Sequence, residues 1–271
     1  MRTILENQGD LRDWKHDVLS VIRPLLGRRE LLKAAAFGAA ALGMGGLLGR
    51  TRSAAAADVP PKAVKTGTFY FPRMMFHVKD ETGDQWDTDP VGDAILRKRL
   101  AELTNINVSQ DPVVVKLSDL DHMCRYPFVF ATSEGYFDLP DNEVKNLREF
   151  LHRGGFLYAD DCVLNRDGDR FFRDYVKMVN RLFADQDMQM ERVPDTHELF
   201  NCYFDFPKGA VHLQGKDHGA FGLFEKGTGR IMTLVTPGDL HCGWTCMFFN
   251  KEQNEAAIRQ GINIIIYYLT H

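Results

Sequence analysis

The chain has 271 residues, 44% of them hydrophobic and 26% charged, with a formal net charge of −4. That length can bury a sizeable core in one or two domains, and the composition is that of an ordinary globular protein. The acidic balance excludes a broad basic face for nucleic acid, and no repeat of solenoid or propeller length is present. The five cysteines (Cys124, Cys162, Cys202, Cys242 and Cys246) include no CxxC pair and do not make a small disulfide scaffold. Cys242 and Cys246 are the nearest pair, but spacing alone does not establish a bond.

Residues 1–57 read as an address. Arg28 and Arg29 precede Leu31, Leu32 and Lys33, and a Gly/Ala-rich apolar run then carries no charge until Arg50. Ser53-Ala54-Ala55-Ala56-Ala57 offers the small residues a signal peptidase requires, and residues 58–65 form a linker. This order of basic, apolar and small-residue regions resembles a twin-arginine export signal. The resemblance implies passage through the twin-arginine translocase as a folded protein. It also implies a periplasmic or otherwise exported location, with retention by an uncleaved N-terminal anchor as a variant. A transmembrane helix is the alternative for an apolar run only just long enough to span.

Residues 66–271 are expected to form one α/β domain. Thr66 to Phe71 is a β-prone run ended by Pro72, with Arg73 just past it. Asp89-Pro90 predicts a helix start, an acceptor followed by proline. Ile95, Leu96, Leu100 and Leu103 then recur at helical spacing. Val113 to Leu117 and Tyr126 to Thr132 read as strands, the second nearly unbroken in apolar character, as buried parallel strands are. Pro140 to Glu143 gives a helix an acidic first turn, and Gly154-Gly155 stops it. Phe156 to Ala159 is the next strand, and Phe171 to Phe183 a helix with a wide apolar face. Met188 to Val193 reads as a strand. Ala220 to Glu225 and Arg230 to Thr236 read as a hairpin, Pro237 to Trp244 as a polar loop, and Ala256 to Leu269 as a final apolar helix. The alternation of strand and helix predicts a mostly parallel sheet with right-handed crossovers.

In such sheets ligands bind outside the carboxyl ends of the strands. Polar groups follow four expected strands there: Arg73; Ser133 and Glu134; Asp160, Asp161 and Cys162; Asp239 and His241. Arg73, Ser133 and Glu134 are candidates for binding a ligand, and the others for catalysis. The two aspartates admit a divalent-metal site, with His241 or carbonyls, or a general acid/base pair. Adjacent strand residues point to opposite faces, so both can serve one site only if the chain turns there. The structural alternative is that one carboxylate caps the turn and pairs with Arg166 or Arg170. Cys162 fits either a thiol nucleophile or a buried inert thiol. No cofactor can be named from these residues.

RGGFLYADD, VPDTHELFNCYF, TPGDLHCGW and GINIIIYYLT, in that order, resemble the bacterial domain of unknown function numbered 4159 over roughly Lys65 to Thr270. The resemblance implies a flavodoxin-like three-layer α/β sandwich of the class I glutamine amidotransferase-like kind. Cys162 then lies near that superfamily's nucleophile position, but Leu240-His241-Cys242 lacks the His-x-Glu pattern of its glutaminases. Two functions follow as expectations. One is an exported module that binds a polar ligand, such as an envelope glycan or protein, at the strand-end edge. The other is a hydrolase using the Asp pair and His241, with or without Cys162 or a divalent metal.

Overall fold

The computed structural model describes residues 67–78, 85–163 and 168–271; Arg28, Arg29, the expected export signal, the linker and Arg166 lie outside these residues. The strands are short apolar runs: β1 (Pro72–Met75), β2 (Val113–Lys116), β3 (Phe128–Ser133), β4 (Phe156–Asp161), β5 (Glu191–Arg192), β6 (Phe221–Phe224) and β7 (Ile231–Thr236). They form one seven-stranded sheet in the order β2-β1-β3-β4-β7-β6-β5. The first four strands and β7 run parallel, while β6 is antiparallel to both β7 and β5. With β7 counted as fifth, the parallel strands follow the 2-1-3-4-5 order of a doubly wound sheet. β3, β4 and β7 are buried throughout, hence their apolar sequences.

The helices are α1 (Val91–Leu103), α2 (Leu120–Met123), α3 (Asp141–His152), α4 (Arg170–Leu182), α5 (Leu240–Trp244) and α6 (Lys251–Thr270). Side-chain alternation along the strands decides which helices each face receives. Phe128 and Phe130 meet the rings of Tyr268 on α6 and Trp244 on α5. Val129, Ala131, Leu157 and Ala159 face the other way, into a core with Leu147 of α3 and Phe171 and Tyr175 of α4. With α1 packed on α5 and α6, the result is a three-layer α/β sandwich with a mostly parallel sheet. Among the described residues, no helix is long and apolar enough to cross a membrane.

Local chemistry explains where the elements stop. Gly154 adopts φ +91°, and Gly155 N–H donates to Phe150 O at 3.0 Å, closing α3 with a glycine turn. A side chain on Gly155 would lie 2.5 Å from the Phe150 ring, so the second glycine is needed for packing. The C-terminal helix starts earlier than Ala256 because Asn250 and Gln253 form a reciprocal capping box.

Other expectations are corrected. The first strand does not end at Pro72 but begins there, and Phe69 makes only an isolated bridge to Val108. Proline is tolerated at a strand's first residue, where it need not donate to the ladder. Arg73 therefore lies inside β1. Asp89 does not cap α1; it sits at φ 41°, and the helix starts with Ala94 N–H donating to Pro90 O. The expected strand from Met188 shrinks to Glu191–Arg192, and part of the expected loop after β7 is the single turn α5.

Candidate functional site

The C-terminal edge of the sheet holds a closed polar network on one face and an open groove on the other. On the closed face, Arg73 is 4% exposed and all five of its N–H donors are used. It grips Asp93 bidentately at 2.9 and 2.6 Å and donates to Trp86 O and Thr88 O at 3.2 Å each. Its Nη2 also lies 2.8 Å from His241 Nε2. The same Nε2 lies 3.3 Å from Asp93 Oδ1, so the ring is wedged between guanidinium and carboxylate, while its Nδ1 is buried without a partner. The guanidinium lies 4.9 Å from the Phe130 ring centroid. Burial pushes the Asp93 carboxyl up, but the charge of Arg73 and the neighbouring His241 ring outweigh it and hold the group well below the usual carboxylate range. Arg73 thus has no donor left for a ligand. Asp93 is absent from the expected site because α1 reads as a plain amphipathic helix.

The aspartate pair splits as strand geometry demands, because β4 continues straight through both residues. Asp160 faces α5. Its Oδ1 accepts from Thr236 Oγ1 at 2.5 Å and its Oδ2 from His241 N–H at 2.8 Å. Tyr158 Oη lies 2.8 Å from the same Thr236 hydroxyl, making one buried chain of hydrogen bonds. Asp161 faces α4, where its Oδ2 accepts from Phe172 N–H at 2.9 Å in the first turn of that helix. Each carboxyl therefore satisfies an orphan donor at a helix start. Burial, reinforced by the charge of Asp239, pushes Asp160 well above the ordinary value. Burial likewise pushes Asp161 up to about 7, against the hydrogen bond from Phe172. Arg170 does not pair with either residue by hydrogen bond; it donates to Glu134 O at 2.9 and 2.5 Å.

Between these carboxyls lies a sulfur-rich corner. Cys162 follows β4, while Asp239 and Cys242 sit at the β7–α5 junction, and all three are buried. Their donor atoms lie within 4.8 Å of one another, and the two Sγ atoms are 3.4 Å apart. Neither cysteine is in a disulfide, and Cys242 and Cys246 are not bonded to each other. Asp239 takes φ 59°, a left-handed conformation uncommon for a non-glycine residue. Its Oδ2 accepts from Gln214 Nε2, while Oδ1 is buried with no well-formed hydrogen bond. Burial pushes its carboxyl up against the pull of the Cys242 thiol and Gln214 amide. Contact with Cys162, followed by burial, pushes the Cys242 thiol well up. Among the described residues, these three are the group able to hold a metal ion.

On the open face, Ser133 is buried and its Oγ accepts from Gly135 N–H at 2.9 Å. The loop then exposes Tyr136, whose ring lies under the Arg170 guanidinium at 4.8 Å. A cavity of about 500 Å³ opens beside it, lined by Tyr136, Phe137 and Asp138 from the loop and by Asp174, Lys177, Met178 and Arg181 from α4. The expected binding residues Arg73, Ser133 and Glu134 do not line this groove. Its α4 residues read as the solvated side of an amphipathic helix, and only the folded loop shows that they share a concavity with an aromatic ring.

The structure thus brings Asp160, Asp161, Asp239, His241 and Cys162 to one buried corner, but aims Asp160 and Asp161 at opposite faces. No curated protein matches the chain. One similar solved structure is the exo-beta-1,4-mannosidase Op5Man5 from Opitutaceae bacterium strain TAV5, at 14% identity and a TM-score of 0.37. The match covers 73% of this chain and 35% of that one. The family model described as Domain of unknown function (DUF4159) matches residues 75–269, and the chain belongs to that family.

Proposed function

We propose that the chain is an exported binding module that takes a polar ligand, a glycan first, in the groove between the loop after β3 and α4. The observation that carries this reading is the lining of that groove. An exposed tyrosine backed by an arginine stands beside two carboxylates, a lysine and an arginine around about 500 Å³ of open volume. A tyrosine face offers apolar contact area with a polar tip, and the flanking charges can bond ligand hydroxyls. Export rests on Arg28, Arg29 and the apolar and small-residue regions that follow them, and implies an envelope location for the ligand.

The hydrolase reading has less support. Asp161 and His241 are buried, and His241 Nε2 is enclosed by Arg73 and Asp93. Cys162 is likewise only 3% exposed, unlike an accessible nucleophile of the class I amidotransferase-like kind.

Calorimetric titration of the chain with neutral β-linked oligosaccharides and soluble peptidoglycan fragments tests the proposal. Binding to one class, weakened about 10-fold by Tyr136→Ala, is the expected result. No binding to either class, or unchanged affinity in that variant, refutes the glycan reading.

A further inference from the structure

We propose that Cys162, Asp239 and Cys242 form a binding site for a thiophilic divalent cation, with zinc the best fit, at the junction of β4, β7 and α5. The donor set selects the metal class. Two sulfurs and one carboxylate suit zinc, whereas magnesium and calcium require oxygen ligands throughout. The size also fits. Two thiolates about 2.3 Å from one tetrahedral ion lie about 3.8 Å apart, and the observed Sγ separation is 3.4 Å. All three donor atoms fall within 4.8 Å of one another, so one ion can reach them after shifts of a few tenths of an ångström.

A second observation points the same way. Asp239 Oδ1 is fully buried with no well-formed hydrogen bond, its carboxylate drawn to the Cys242 thiol and the Val163 backbone N–H, although such oxygens are almost always fully satisfied. The residue that carries it is held at φ 59°, in a conformation with a backbone cost, and its other oxygen is fixed by Gln214. A ligand oxygen with its partner oxygen anchored by an amide is the arrangement that surrounds bound metals. The covering segment is built close to the corner. Leu213 N–H donates to Gly238 O at 2.9 Å, and any side chain on Gly238 would meet Val211 O at 2.6 Å. A disulfide would account for the two sulfurs but not for the carboxylate. Zinc binding replaces the two S–H bonds by two Zn–S bonds and releases two protons to solvent, with no change of oxidation state. Three protein donors leave the fourth tetrahedral position to a water.

The test uses the full chain, purified folded without chelators under reducing conditions, with zinc and cobalt salts as the only probes. One zinc per chain by elemental analysis, and thiolate-to-cobalt charge-transfer absorbance on substitution, are expected. Cys162→Ser and Cys242→Ser should each lose more affinity than Gln214→Ala, which should weaken binding about 10-fold. Cys124→Ser and Cys202→Ser should bind as the unmodified chain does. Failure of the reduced, folded chain to take up zinc overturns the proposal, as does equal uptake by the Cys162→Ser/Cys242→Ser double variant. The cobalt spectrum needs no variant: cobalt bound without a thiolate band also overturns it. A Cys162–Cys242 disulfide whose reduction restores no metal binding has the same consequence.

Discussion

Asp160 and Asp161 are neighbours in sequence and opposites in setting. Asp160 belongs to a sealed layer in which Tyr158, Thr236, His241, Arg73 and Asp93 leave almost no donor or acceptor for an outside molecule. Asp161 is equally buried but faces α4, whose first turn it caps; the groove at Tyr136 lies against that helix and is lined by other residues. The closed face pairs its polar groups internally, and the proposed ligand contacts lie on the open face. A strand-end acid is thus not in itself evidence of a site. What separates the two cases is whether its hydrogen-bond capacity is already filled.

The sharpest way to break this contrast is Arg73→Ala. It leaves the buried Asp93 carboxylate without its bidentate partner, and should cost about 3–5 kcal/mol in denaturant unfolding. A loss below about 1 kcal/mol would mean that the closed face is not load-sharing as described. Next comes Gly92→Ala. Alanine normally favours a helix, but here its Cβ would lie 2.9 Å from His241 Nε2, a ring fixed by Arg73. Overpacking should win, with a loss of about 1–3 kcal/mol; a more stable variant would show that the His241 layer yields.

Asp93 and Asp161 predict opposite responses to pH. Asp93 is depressed by Arg73, so its contribution is present above the ordinary carboxylate range and is lost only as pH falls through its lower folded value. Asp161 is raised by burial to about 7, so its contribution is complete below the unfolded value near 3.8 and is lost as pH rises towards 7. Asp161→Asn keeps an acceptor for Phe172 and removes the proton. Unfolding midpoints at roughly pH 5 and pH 8 should therefore show a flatter profile than the parent, by up to about 1.4 kcal/mol per pH unit. An unchanged profile would place the titration elsewhere. The smallest stability effect belongs to the open face. Tyr136→Ala should stay within about 0.5 kcal/mol of the parent while weakening ligand binding, and a large stability loss would make that ring architecture too.

Much of the sandwich was legible in the chain because its central strands are buried on both faces and so appear as apolar runs. RGGF carried the α3 stop and the start of β4 in a single motif. Pro72 misled, since a proline after an aromatic run looks like an end, and only pairing with Val113 shows it as a beginning. The site was less legible. Asp160 and Asp161 were placed at the right edge, and strand periodicity warned that they would separate. The pairing of Cys162 with Cys242 joins positions 80 residues apart, which spacing does not reveal. Asp93, Gln214 and Tyr136 owe their roles to tertiary neighbours, so their local patterns look ordinary.

The strand order has a consequence for how the chain acquires its shape. β4 ends at Asp161, yet its parallel neighbour β7 does not begin until Ile231. Until those later residues leave the ribosome, β3 and β4 form a half-sheet with one open edge, and the Asp160 carboxyl lacks both Thr236 and His241. Such long-range parallel pairing is slow and leaves strand edges exposed to mispairing while it waits. The interval between synthesis of β4 and β7 therefore leaves the half-sheet most open to mispairing, and variants that loosen β7 should show their defect first as a low yield of folded protein.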